Sequence, residues 1–242
     1  MKALLAQTRS ELMLSLRNGE QLLVNIAIPL LLLVFFSAVK VLPIPTGVDK
    51  RVDFLAPGII ALAVMSNAMV ALAIGTGFER HYKVLKRLGA TPLGRGRWVL
   101  AKIGMVKILL IVQIALIVVA AFALGWNPGG TPWLAIPAVV LGAFAFGGIG
   151  LLMAGTLRGT VTLALANGLY LLLLLLGGMI IPFSEMPGFL GTIGKVLPSG
   201  ALSQVLQSCL RTGAEPAGSA WVVLAVWAVL APLAAIKFFR WE

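Results

Sequence analysis

Cysteine, histidine and acidic residues are scarce in this chain of 242 residues, which holds one Cys, one His and eight Asp plus Glu. Charged residues of both signs reach only 11%, against about 25% in a soluble domain. Cys209, standing alone, excludes a disulfide within one chain and any metal site built from several cysteines. His81 lies beside Glu79 and Arg80 and reads as a solvated residue rather than a catalyst. Intramembrane proteases, acyltransferases and metal enzymes need convergent His, Asp, Ser or Cys groups, and the sequence offers no such set. No G-x-x-x-x-G-K-[ST] segment occurs, so the chain binds no ATP through a P-loop of its own. The basic stretch Gly94-Arg95-Gly96-Arg97 has no phosphate-binding pattern around it and reads as a mobile positive loop.

Apolar residues are abundant instead: 60% of the chain, with mean hydropathy +1.03. A membrane span needs about 20 mostly apolar residues. Six such runs fall near 21–42, 54–78, 103–126, 133–157, 160–181 and 217–237. The expectation is a polytopic all-α membrane protein, a single transmembrane domain over 1–242. The first run begins near Leu22, behind a polar stretch unlike the n-region of a signal peptide, so no cleavable leader is expected.

The net charge of +11 does not point to nucleic acid, because the basic residues fall between the apolar runs rather than on a soluble face. With the N-terminus inside, 14 of the 19 Lys and Arg lie on the cytoplasmic side; Lys40, Lys50, Arg51, Lys195 and Arg211 lie outside. The positive-inside rule therefore predicts both termini in the cytosol.

Residues 1–19 form an expected amphipathic helix on the membrane surface. Leu5, Leu12 and Leu16 recur at helical spacing, Lys2, Arg9, Glu11 and Arg17 take the other faces, and Asn18-Gly19 supplies a stop. Two connections are longer than a turn requires. In 79–93, Phe78, Tyr82 and Leu85 fall at i, i+4 and i+7, which predicts an apolar stripe on a short helix. Arg80, Lys83, Lys86 and Arg87 occupy its other faces, Gly89 serves as its stop, and Thr91-Pro92 reads as the N-cap and first residue of the next helix. The segment 182–216 is broken by Pro182, Pro187, Gly188, Gly191, Gly194, Pro198 and Gly200. No part of it is long enough to span, so short helices dipping into the outer leaflet are expected.

Ion-coupled transport calls for ionisable residues at membrane depth. No Asp or Glu lies in the core of a proposed span, and Lys107 is close enough to an end to snorkel. No repeat relates the two halves. Asn25, Asn67, Gln113 and Asn167 are intramembrane amides that either hydrogen-bond between helices or line a substrate path. Trp126 and Trp133 read as interfacial anchors.

Three features together carry a resemblance. Glu79-Arg80, followed by Leu85-Lys86-Arg87-Leu88-Gly89-Ala90-Thr91-Pro92-Leu93, is similar to an E-R-x-x-G-T-L-x-R-L-x-A-T-P-L loop, with Lys83-Val84 where that pattern has Gly-Thr. Gly177 to Pro182, with Met186-Pro187 and Pro198, is similar to the region before a last span, and a surface helix precedes the first span. The chain thereby resembles, over nearly its whole length, the transmembrane subunit of type-2 ABC exporters.

The resemblance implies a permease without enzymatic activity of its own. ATP and Mg would sit on a separate P-loop ABC ATPase present in two copies, and a second copy of this permease or a homologous one would complete the path. Phe78, Glu79, Arg80, Tyr82, Leu85, Lys86, Arg87, Leu88, Thr91 and Pro92 would form the coupling helix and its exit turn, which docks on the ATPase, with the N-terminal helix as a second contact. The path would lie between spans two and five of paired subunits, touching Asn67, Asn167, Tyr170 and Leu172. An uncharged lining favours hydrophobic or amphipathic cargo, drug-like or lipid-like. A haem-export or cytochrome-maturation permease and a non-ABC membrane scaffold remain alternatives. A bacterial inner membrane is the expected location.

Overall fold

The computed structural model describes residues 2–17, 19–39, 48, 50–89 and 94–241. Among these there is no strand. Helices α1 (Lys2–Arg17) and α2 (Gly19–Ala38) are followed by α3 (Arg51–His81), which widens to a π-helical turn over Ser66–Ala71. Then come the short α4 (Val84–Gly89), α5 (Gly94–Ala123), α6 (Ala135–Thr156) and α7 (Gly159–Leu176). The short helices α8 (Gly188–Val196) and α9 (Pro198–Leu210) lead into α10 (Gly218–Phe238).

Among the described residues five helices are long and apolar enough to cross a membrane: Arg51–His81, Gly96–Ala123, Pro132–Thr156, Gly159–Leu176 and Gly218–Phe238. A shorter apolar helix, Asn25–Ala38, stands where the first span is expected. The protein is a multi-pass, all-α membrane protein.

Helix α3 is the axis of the bundle, with 83% of its apolar window buried by the rest of the chain. Small residues make this possible, since without large side chains helix backbones approach closely. A Cβ on Gly58 would stand 2.0 Å from the Met179 carbonyl oxygen, and one on Gly150 would stand 2.7 Å from that of Met69. Gly148 of α6 is equally tight against the backbone at Pro232 of α10. These contacts are with backbone, which cannot swing away. Gly58→Ala is therefore expected to cost about 1–3 kcal/mol through overpacking, read as a lower unfolding midpoint in detergent, with Gly75→Ala, where nothing lies within 4 Å, as the neutral control.

The structure departs from the sequence reading at several ends. Helix α3 does not stop at 78 but runs on to His81, and the chain turns at Tyr82 and Lys83, where Lys83 takes φ 58°. That left-handed residue ends the helix because continued right-handed winding is impossible through it. The stripe expected on one short helix is thus divided between two helices and a turn. Gly94-Arg95-Gly96-Arg97 is not a mobile loop; it opens α5, which begins nine residues before the expected span. The fifth span ends at Leu176 rather than 181, because Gly178 turns the chain at φ 65°. The Asn18 stop and the Thr91-Pro92 cap lie outside the described residues.

Of the breakers named in 182–216, Pro187 and Pro198 stand at the starts of short helices, whereas Gly191, Gly194 and Gly200 lie inside them. Helix α9 is among the most enclosed elements of the chain, with Ala201, Leu202, Val205 and Leu206 wholly buried. It packs against α3, α6 and α10, so it is part of the core and not a surface ornament.

Candidate functional site

At one end of the bundle α1, the foot of α3, α4, the start of α5 and the last turns of α6 and α10 converge. Lys102, on α5, is buried there and donates from Nζ to Glu11 Oε2 at 2.6 Å and to Glu79 Oε1. Gln7, one turn earlier on α1, donates to the other Glu11 oxygen at 2.9 Å. Lys102 Nζ also lies 5.7 Å from the centre of the buried Trp98 ring. The cluster borders a cavity of about 170 Å³ that Asn25, Asn67 and Ser15 also line.

Two placements differ from the sequence reading at this point: Glu11 is buried rather than on an open face of a surface helix, and Lys102 lies buried within α5 rather than in a connection between helices. Each buries the other, because a buried charge persists only when paired and hydrogen-bonded.

Arg80, adjacent to Glu79, points elsewhere. Its Nη1 donates to the carbonyls of Ala154 at 2.7 Å and Leu157 at 3.3 Å. These belong to the last turn of α6, whose carbonyls have no intrahelical donors, and a cation there also meets the negative end of the helix dipole. The backbone N–H of Arg240 covers the neighbouring Gly155 carbonyl at 3.0 Å. Phe239 and Trp241 close over Trp98, with ring centroids at 6.5 and 5.6 Å.

Past the turn, the predicted docking residues separate by exposure. Tyr82 is 64% exposed and stacks on the half-buried Phe78, while Leu85 is 2% exposed and faces inward. Lys83, Lys86 and Arg87 are exposed. Leu88 lies in α4, but its side chain, like Thr91 and Pro92, falls outside what is described. Of the residues assigned to one coupling element, Glu79 and Arg80 therefore brace the bundle, Leu85 fills it, and Tyr82 with the basic residues faces outward.

In mid-bundle the amides tie three helices together. Asn67, in the π-helical turn, donates through Nδ2 to Gln113 Oε1, and Gln113 Nε2 donates to the Asn25 carbonyl at 2.6 Å. The interhelical reading holds for the side chains of Asn67 and Gln113, whereas Asn25 takes part through its backbone carbonyl. It fails for Asn167, which donates to the Leu163 carbonyl of its own helix and is exposed. Nor do the four expected path residues share one face of a single copy. Asn67 is buried at 4% exposure, whereas Leu172 is exposed and Tyr170 half-buried on α7.

The opposite end of the bundle is laced by polar contacts. Lys50 donates to the Gly125 carbonyl at 2.9 Å, Asp53 accepts from the Asn127 N–H at 3.1 Å, and Gln207 donates to the Phe54 carbonyl at 2.7 Å. Trp126 is buried and so is no interfacial anchor, whereas Trp133 is 67% exposed. Cys209 is a buried free thiol, and burial pushes its pKa up, which disfavours the reactive thiolate. Among the described residues no group of three or more His, Cys, Asp or Glu could hold a metal ion.

Sequence reasoning missed Glu11 and Lys102 as a pair. Two signals were available: Glu11 is the one acidic residue in a basic helix, and Lys102 sits inside the apolar string Trp98-Val99-Leu100-Ala101 and Ile103-Gly104-Met105.

Residues 2–209 match the family model described as ABC-2 type transporter. YvfS of Bacillus subtilis (strain 168), described as a candidate transport permease, is 27% identical over 208 residues, 82% of each chain. The helical bundle and a family match over most of its length carry one conclusion: the chain belongs to the ABC-2 type transporter family.

Proposed function

We propose that the chain is the membrane-spanning permease subunit of an ATP-driven exporter for hydrophobic or amphipathic compounds, drug-like or lipid-like. A separate P-loop ABC ATPase, present in two copies, binds ATP and Mg and supplies the energy. A second copy of this chain or a homologous permease completes the path, and both termini face the cytosol of a bacterial cell.

The observation that carries this reading is the turn at the foot of α3. Tyr82 stands exposed there, on a short hairpin between two long helices, with the exposed cations Lys83, Lys86 and Arg87 around it. An exposed Tyr set among basic residues is the composition of a docking anchor, and the charges steer and orient an acidic partner. The hairpin is braced to α5 by Glu79 and to α6 by Arg80, so a push on it reaches the spans as rigid displacement.

ATP binding draws the two ATPases together, and the hairpins carry that motion into the paired bundles. Helix α7 is the least enclosed of the five candidate spans and turns Asn167, Leu171, Leu172 and Leu175 outward. It is the natural wall of a path between copies, with Tyr170 at its edge, whereas Asn67 acts from within the bundle. That wall carries no charge, which suits amphipathic cargo.

The test is a pull-down of the tagged chain from native membranes in mild detergent. A P-loop ATPase in 1:1 ratio is expected with the unaltered chain and should be lost from Tyr82→Asp/Arg87→Glu, while the permease still elutes as a folded species. Leu85 is unsuitable as a probe because its burial makes a charge there a folding defect. If no ATPase accompanies the unaltered chain while other membrane complexes survive the same detergent, the exporter reading is wrong.

A further inference from the structure

Lys102 joins three pieces of the chain that no backbone connection holds together at that point. Glu79 lies one turn before the break at Tyr82–Lys83, on the leg entering the exposed hairpin. Lys102 lies on α5, the leg leaving it, and Glu11 belongs to α1, more than 60 residues away in sequence from either hairpin turn residue. One ammonium group bridges both carboxylates, at 2.6 Å to Glu11 and in direct contact with Glu79. Around it, α1 is seated on α5 by Thr8 against Gly104 and by Ser15 Oγ donating to Met105 Sδ at 3.5 Å. The second Glu79 oxygen is buried without a partner, and the cavity beside it leaves space for the carboxylate to move.

From this arrangement we infer that Lys102 is the positioning residue that makes α1 follow the hairpin: motion imposed on the turn at Tyr82–Gly89 reaches the N-terminal helix through Glu79–Lys102–Glu11. A hairpin with uncrosslinked legs would flex at its own turn and dissipate the push. Pinned at Glu79 and Lys102, its legs move as one body, and Glu11 makes α1 a third member of that body. A two-carboxylate, one-lysine bridge beside a cavity is also able to loosen on one arm while keeping the other. This inference rests on the proposed docking of an ATPase at the hairpin.

The experiment is hydrogen exchange followed by mass spectrometry on the permease–ATPase complex purified from native membranes, with and without ATP and vanadate. In the unaltered complex, nucleotide is expected to change exchange both in peptides covering 84–89 and in those covering Lys2–Arg17. In Glu11→Gln/Glu79→Gln/Lys102→Met, which removes all three charges together, the response in 84–89 should persist while that in Lys2–Arg17 falls to about a third or less. Glu11→Gln alone, which leaves the Glu79–Lys102 pair in place, should give the same selective loss and serves if the triple variant does not fold. Lys102→Arg should restore most of the response.

An N-terminal response of unaltered size in both neutralised variants would overturn the inference, as would no N-terminal response in the unaltered complex. Absence of any response in 84–89 of a complex that does contain the ATPase would instead sink the docking reading.

Discussion

Lys102→Met should lower the stability of the folded chain by about 3–5 kcal/mol. The lysine is 4% exposed, and its removal leaves Glu11 and Glu79 facing each other in the bundle without a counter-charge. Removing one member of a buried pair is far costlier than removing the whole set, because an uncompensated charge has lost its water and gained nothing. The expected readout is a large drop in yield and in unfolding midpoint in detergent. The companion result matters as much: Glu11→Gln/Glu79→Gln on the Lys102→Met background should recover most of that loss. If Lys102→Met unfolds at the same point as the unaltered chain, the buried bridge does not hold α1, α3 and α5 together.

Arg80→Met should cost about 1.5 kcal/mol, the low end for a hydrogen bond to a charged group because the guanidinium keeps some contact with water. The loss arises at the last turn of α6, where the Ala154 and Leu157 carbonyls forfeit their donor. Proteolysis or exchange should show fraying of residues 153–158 first, with the far end of α6 unaffected. The variant also separates two roles that share a sequence motif. If Arg80 braces α6, ATPase co-purification survives in Arg80→Met at reduced yield; if it is itself a docking contact, the ATPase is lost from protein of unchanged stability.

Adjacent residues in a helix point about 100° apart, and this decides the fate of the Glu79-Arg80 pair. One reaches Lys102 of α5, the other reaches the end of α6. The resemblance places both on one docking helix; in the structure α3 continues to His81, and the two side chains turn to different neighbours within the packed zone. Leu85 and Tyr82 separate for a related reason: once Lys83 breaks the helix, the i, i+4, i+7 spacing no longer defines one face.

By itself the sequence determined the class of protein. Sixty per cent apolar residues in runs near span length, with basic residues between them, admit few structures besides a helical membrane bundle, since each backbone polar group in lipid must be satisfied within its own helix. It also located the hairpin after the second apolar run and the short helices before the last, because glycine and proline act on the local backbone.

The sequence left open which helix sits at the centre, since α3 and α7 are both apolar along their length and hydropathy does not distinguish protein from lipid as a neighbour. The tertiary structure decided that through close backbone contacts at Gly58, Gly148 and Gly150. It alone decided that Glu11 and Lys102, 91 residues apart, belong together. Charge pairing across a fold depends on where helices come to rest, and no periodicity along the chain records it.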